Sequence, residues 1–194
     1  MFKAAVVITN GSEELEAVTI IDILRRSKSI EASLVVLGES TLHVECSRHV
    51  TIIGDVLFRD YDWETADAII LPGGMIGART FESSKVLHAV IQALWGKGKV
   101  VAAICASVVA LKASGIGKGL RATSHPCVKA EVDNHFTYDD ISDVVQAFNS
   151  SHSSAQLVTS RGPGTAVRFA LSLIAVFVGS EEAKSLESSL MMPQ

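Results

Sequence analysis

Hydrophobic positions fall in blocks along this chain, and polar stretches separate the blocks. Residues 4–8, 68–71 and 100–104 are short apolar runs with β-branched residues, and residues 32–37 and 157–160 read as further strands. Runs of this kind suit strands buried on both faces of a parallel sheet. Between them lie segments of helical character. Residues 12–27 place Ala17, Ile20, Ile21 and Leu24 on one face. Residues 84–95, 106–114 and 165–178 read as further helices, and residues 180–190 add a last helical piece. Residues 41–60 contain two short alternating stretches, around Val44 and over 50–53, that predict a hairpin or edge feature. After Gly115 the chain reads as irregular, with Ser124-His125-Pro126-Cys127 and the polar run 149–154.

Strands joined by helices imply βαβ crossovers, hence an α/β fold with a parallel sheet covered on both faces. Ligands in such folds sit beyond the carboxyl ends of the strands. Three loops fall there: the one leading to Glu16, Pro72-Gly73-Gly74, and the turn at Cys105.

Composition narrows the classes. The chain has 194 residues, 48% of them hydrophobic, with a net charge of −4. That fits one domain with a real core, and a negative balance without a basic stripe argues against a nucleic-acid partner. Three cysteines with no framework spacing fit a reducing, cytoplasmic setting. The first residues, MFKAAVVITNGSEELE, match neither a signal nor a transit peptide, and the longest apolar segment, 166–178, is interrupted by Arg168 and too short for a bilayer. No His/Cys/Asp cluster has metal-ligand spacing, and no Gly-rich phosphate loop occurs. Neither a metal nor a cofactor is expected.

The candidate chemistry centres on Cys105, at the junction of a buried strand and a helix. A residue on such a turn stands proud of the sheet with free helix N–H groups beside it. Those amides favour an anion and are expected to push the thiol toward thiolate. A buried structural thiol is the competing reading. Glu13 and Glu14 read as solvated first-turn acids, whereas Glu16 flanks the apolar face and can turn inward. Should Glu16 meet Cys105, one proton is shared, with a protonated Glu16 donating to sulfur as the expected ground state. His125, held by Pro126 in an extended loop, is a candidate general base or proton guide, against the ordinary reading of a lone histidine. Gly74 and Ala106 offer backbone amides for an oxyanion hole, against a plain tight turn. Cys46 and Cys127 read as bystanders.

Taken together, GSEELEAV around Glu16, ILPGG at residues 70–74, AAICA around Cys105, TSHP at 123–126 and TSRGPGT at 159–165 resemble the ThiJ/PfpI superfamily, and within it the parkinsonism-associated deglycase branch. The resemblance implies a flavodoxin-like three-layer α/β/α sandwich with a mainly parallel sheet and a nucleophile elbow at Cys105. It implies a single domain of the class I glutamine amidotransferase-like type over residues 1–194, usually a homodimer without cofactor. It assigns the nucleophile to Cys105, the carboxyl partner to Glu16, the nearby histidine to His125 and the oxyanion amides to Gly74 and Ala106. Arg48 matches an arginine brought to the pocket from a partner subunit, and Arg26 with Asp22 lies on the helix near that interface. The chain departs from the branch at Ser107-Val108, where Gly-Pro is frequent, at Met75, where a polar residue is frequent, and at Ile53, a cysteine in some relatives. These departures bear on pocket polarity.

The activity so implied is cofactor-free, glutathione-independent conversion of reactive dicarbonyls such as methylglyoxal and glyoxal, or of their early protein or nucleotide adducts, to 2-hydroxy acids. The alternative is a redox-sensing, stress-protective protein or chaperone acting through oxidation of Cys105. Proteolysis ranks low, because the third residue it needs is not identifiable.

Overall fold

The protein is described by a computed structural model that covers residues 1–38, 40–149 and 156–192. Its elements follow in chain order: β1 (Phe2–Ile8), α1 (Glu14–Arg26), β2 (Ile30–Val36), β3 (His43–Glu45), β4 (Thr51–Ile53), β5 (Val56–Leu57), β6 (Ala68–Leu71), α2 (Met75–Ser83), α3 (Lys85–Gly96), β7 (Val100–Ile104), α4 (Val108–Ala113), β8 (Arg121–Ala122), α5 (Lys129–Val132), β9 (Thr137–Tyr138), β10 (Val144–Phe148), β11 (Gln156–Ser160), α6 (Ala166–Val178) and α7 (Ser180–Ser189).

Among the described residues, seven strands form one sheet in the order β10-β11-β7-β6-β1-β2-β5. All pairs are parallel except β10 with β11. The apolar runs explain the centre: every residue of β6, β7 and β11 is buried. Helices flank the sheet in two groups, with α1 packed on α6 and α6 on α7, and with α2 and α3 both packed on α4. Phe81 and Phe169 are fully buried. Each contributes roughly 1.5–3 kcal/mol relative to an exposed ring. No helix among the described residues is long and apolar enough to cross a membrane.

The chain leaves β1 toward β2 on one side and later returns to β6 on the other, so the order reverses between β1 and β6. Such a reversal opens a crevice at the carboxyl ends of the strands. The loops after β1, β6 and β7 all reach it.

The predicted hairpin is present, with β3 antiparallel to β4. Elsewhere the fold corrects what the pattern predicts. Residues 75–83 form a helix directly after the Pro-Gly-Gly loop, where none was expected. The region after Gly115 is not merely irregular, since it holds β8, β9, α5 and the edge strand β10. β10 alternates between buried and exposed over only five residues, too short a signal to stand out. The helix expected over 106–114 begins as a 3₁₀ turn, Cys105–Ser107, before α4. Of the polar run 149–154, all but Asn149 lies outside the described residues.

Candidate active site

Cys105 directly follows β7 in a left-handed conformation, with φ of 64°. For a side chain other than glycine this costs on the order of 1–3 kcal/mol and is held by its surroundings. The strand delivers the residue and the 3₁₀ turn takes the chain away at once. Cys105 is 9% exposed and lines a cavity of about 260 Å³ together with Gly74, Ala106, His125, Arg48 and Met75. A slightly larger opening of about 300 Å³ beside Val36, Leu57 and Arg59 is lined by no cysteine, histidine or carboxylate, so the chemistry points to the smaller one.

Glu16 is fully buried. The cap of α1 aims it: the Glu13 carboxylate accepts from the Glu16 amide at 2.7 Å, which fixes the first helical turn. Glu16 Oε2 accepts from the Gly73 amide at 2.6 Å, and the carboxyl meets the Cys105 thiol. Oε1 is buried without a conventional hydrogen bond. An ionised oxygen left so is costly, which favours the protonated acid. Burial is the largest influence and, with the Glu13 charge, pushes Glu16 up to about 7 against the Gly73 and Cys105 hydrogen bonds.

The thiol corrects an expectation. The Ala106 and Gly74 amides do face the sulfur and favour its ionised form, but burial and the adjacent Glu16 charge outweigh them and push Cys105 up to about 12. Two anions in one dry site repel, so the pair holds a single charge. The thiolate exists where Glu16 keeps the proton.

Gly73 and Gly74 are demanded by space and backbone. A Cβ on Gly73 would lie 2.5 Å from Cys105 Cβ and 2.7 Å from Glu16 Oε2. Gly74 has φ of 94°, and a Cβ there would lie 2.2 Å from the Gly11 carbonyl oxygen.

His125 caps the next 3₁₀ turn, its Nδ1 accepting from the Cys127 amide at 3.2 Å. In the neutral ring the proton then sits on Nε2, so the imidazole donates; the general-base reading gives way to proton guidance. The ring and the sulfur line the same cavity on either side of Gly162, where an added Cβ would be 3.4 Å from His125 Cδ2 and 4.0 Å from Cys105 Sγ.

Arg48 lines the cavity within its own chain. The β3–β4 hairpin folds back over the start of α1, where Glu14 accepts from Ser47 Oγ and from the Arg48 amide, each at 2.8 Å. Glu14, read as solvated, is thus a clasp. Arg26 pairs with Asp22 at 2.9 Å on the exposed side of α1.

Ser107 and Val108 are fully buried and do not line the cavity, so those departures leave its polarity alone; Met75 does line it and makes the mouth less polar. Cys46 is buried with its thiol pushed up to about 11 by burial and the charges of Glu14 and Glu13. Cys127, read as a bystander, lines the cavity beside His125. Sequence spacing could not place it there, because its position depends on the hydrogen bond that hangs residue 125 from residue 105. No group of three or more His, Cys, Asp or Glu among the described residues could hold a metal ion.

The profile of the DJ-1/PfpI family matches residues 2–176. Protein DJ-1alpha of Drosophila melanogaster is 35% identical over 199 residues, spanning 97% of this chain and 83% of that protein. The glutathione-independent glyoxalase DJR-1.2 of Caenorhabditis elegans is 31% identical over 193 residues, spanning 98% of this chain and 97% of that protein. Among solved structures, Drosophila melanogaster DJ-1beta superposes with a TM-score of 0.90 at 30% identity, spanning 100% of this chain and 99% of that one.

Proposed function

The chain belongs to the DJ-1/PfpI family, and from that premise and the pocket we propose that it converts small dicarbonyls such as methylglyoxal to 2-hydroxy acids without glutathione or cofactor. The observation that carries the reading is the buried Glu16 carboxyl against Cys105, with two backbone amides facing the sulfur. Packing requires none of these polar groups.

With the proton on Glu16, the Cys105 thiolate attacks the aldehyde carbon. The Gly74 and Ala106 amides hold the developing oxyanion, and Glu16 delivers its proton to that oxygen, giving a hemithioacetal. The Glu16 carboxylate then removes the hydrogen from the former aldehyde carbon and returns it to the adjacent carbon, while the hemithioacetal hydroxyl proton passes to the neighbouring carbonyl oxygen, leaving a 2-hydroxy thioester. Water cleaves the thioester, releasing the acid and the thiol. A carboxyl held near 7 suits both halves of this proton traffic, because it gives and takes at neutral pH. Arg48 at the mouth and the His125 Nε2–H steer the carbonyl oxygens. Early adducts on proteins or nucleotides are substrates in the same sense, through the aldehyde they release.

Free cysteines fit a reducing cytoplasmic setting. Leu15 and Val18 on α1 and Val50 and Ile53 on the hairpin are large exposed apolar side chains, and we propose that they pair two copies into a homodimer. The test of the activity is the release of 2-hydroxy acid from methylglyoxal by the purified protein with no glutathione added. Absence of product would remove the proposal.

A further inference from the structure

Ser107 is a fully buried hydroxyl directly behind the elbow, and its Oγ donates to the Pro72 carbonyl on the loop opposite. That carbonyl and the Gly73 amide belong to one planar peptide unit. The Gly73 N–H in turn donates to Glu16 Oε2 at 2.6 Å. The groups form a series: hydroxyl to carbonyl, through the peptide, amide to carboxyl. Hydrogen bonds in series polarise one another, most strongly where the local dielectric is low. Donation to the carbonyl draws electron density from the peptide and makes its N–H a stronger donor. A stronger donor stabilises the carboxylate relative to the acid.

We infer that Ser107 is a positioning residue that sets the proton affinity of Glu16 through the Pro72–Gly73 peptide. It does not line the cavity, so it acts on the carboxyl without touching substrate. The inference rests on Glu16 as the proton carrier of the proposed reaction. Two other titratable groups act on this carboxyl, Glu13 from the helix cap and Cys105 from the elbow, while His125 and Arg48 line the adjoining cavity. All of them remain in place when Ser107 alone is changed.

The test is an infrared titration of the Glu16 carboxyl band, with Glu16→Gln as the blank, on wild type, Ser107→Ala, Ser107→Cys and Ser107→Thr. Ser107→Ala is expected to raise the midpoint by about half to one pH unit, a roughly three- to tenfold gain in proton affinity. Ser107→Cys, similar in size with only a weak S–H donor, moves the same way by less. Ser107→Thr keeps the hydroxyl and stays with wild type. Equal midpoints in wild type and the Ala and Cys variants overturn the inference, and the Cys variant decides alone if Ser107→Ala does not fold. The band reads the carboxyl and not turnover. Failure of wild type to consume methylglyoxal therefore counts against the proposed reaction, while a displaced midpoint still supports the role of Ser107.

Discussion

The His125 amide donates to the Cys105 carbonyl at 3.1 Å, so the loop carrying the imidazole hangs from the backbone of the elbow itself. Any shift of the elbow moves the ring with it. Two segments far apart in the chain thereby act as one rigid part of the pocket.

Replacing the ring tests what it adds. His125→Ala keeps the backbone bond but removes the acceptor for the Cys127 amide. Loss of a cap of this kind costs about 1 kcal/mol, which a denaturant midpoint reads. Turnover of methylglyoxal is expected to fall by at least about 10²-fold, the lower range for assisted proton movement. Wild-type rates in this variant would show the ring to be structural.

Glu16→Gln separates chemistry from stability. The amide still accepts from Gly73 but carries no proton between carbons, so kcat should drop by about 10²–10⁴-fold. Stability should move the other way. Burial raises the folded carboxyl from 4.5 to about 7, so the folded state binds more protons than the unfolded chain between those values. The contribution is fully present below about 4.5 and lost as pH rises through 7. The loss amounts to about 3 kcal/mol by pH 8, from the size of that shift. The difference in unfolding free energy between wild type and Glu16→Gln should therefore slope across this window and flatten above it. A flat difference would mean the carboxyl is ionised throughout.

Gly73→Ala places a methyl 2.5 Å from Cys105 Cβ and 3.0 Å from its sulfur. Neither the elbow nor the buried acid can give way, so the variant should lose roughly 1–3 kcal/mol of stability and its turnover together. Gly96→Ala, where an added Cβ meets nothing within 4 Å, is the matched control and should keep both.

Light scattering tests the pairing of copies. Val18 and Ile53 are 48% and 62% exposed in the isolated chain. Wild type is expected to run as a dimer and Val18→Glu with Ile53→Glu as a monomer. A monomeric wild type would remove the dimer.

Much of this architecture was readable from the residues, for identifiable reasons. The cores of strands β1, β6 and β7 are buried on both faces, and short unbroken apolar runs rich in β-branched residues suit that position better than any other. Cys105 stood out as the residue where such a run breaks into a helix. What stayed hidden depends on tertiary balance. The helix amides beside Cys105 were foreseeable, but the burial and the Glu16 charge that overcome them exist only once the pocket is closed. Glu14 looks like any first-turn acid until the hairpin folds back and gives it Ser47 and Arg48 to hold. The same fold brings Arg48 to the pocket within one chain, which sequence separation does not reveal. Strand β10 was missed because its residues alternate between the core and solvent over too short a span.

Matched assays of wild type and Cys105→Ser on methylglyoxal, without glutathione and with folding verified by circular dichroism, bear most directly on the central claim that Cys105 is the nucleophile. Wild type should produce 2-hydroxy acid steadily, and the serine variant should produce none above the uncatalysed rate. Equal product formation by the two proteins would contradict it.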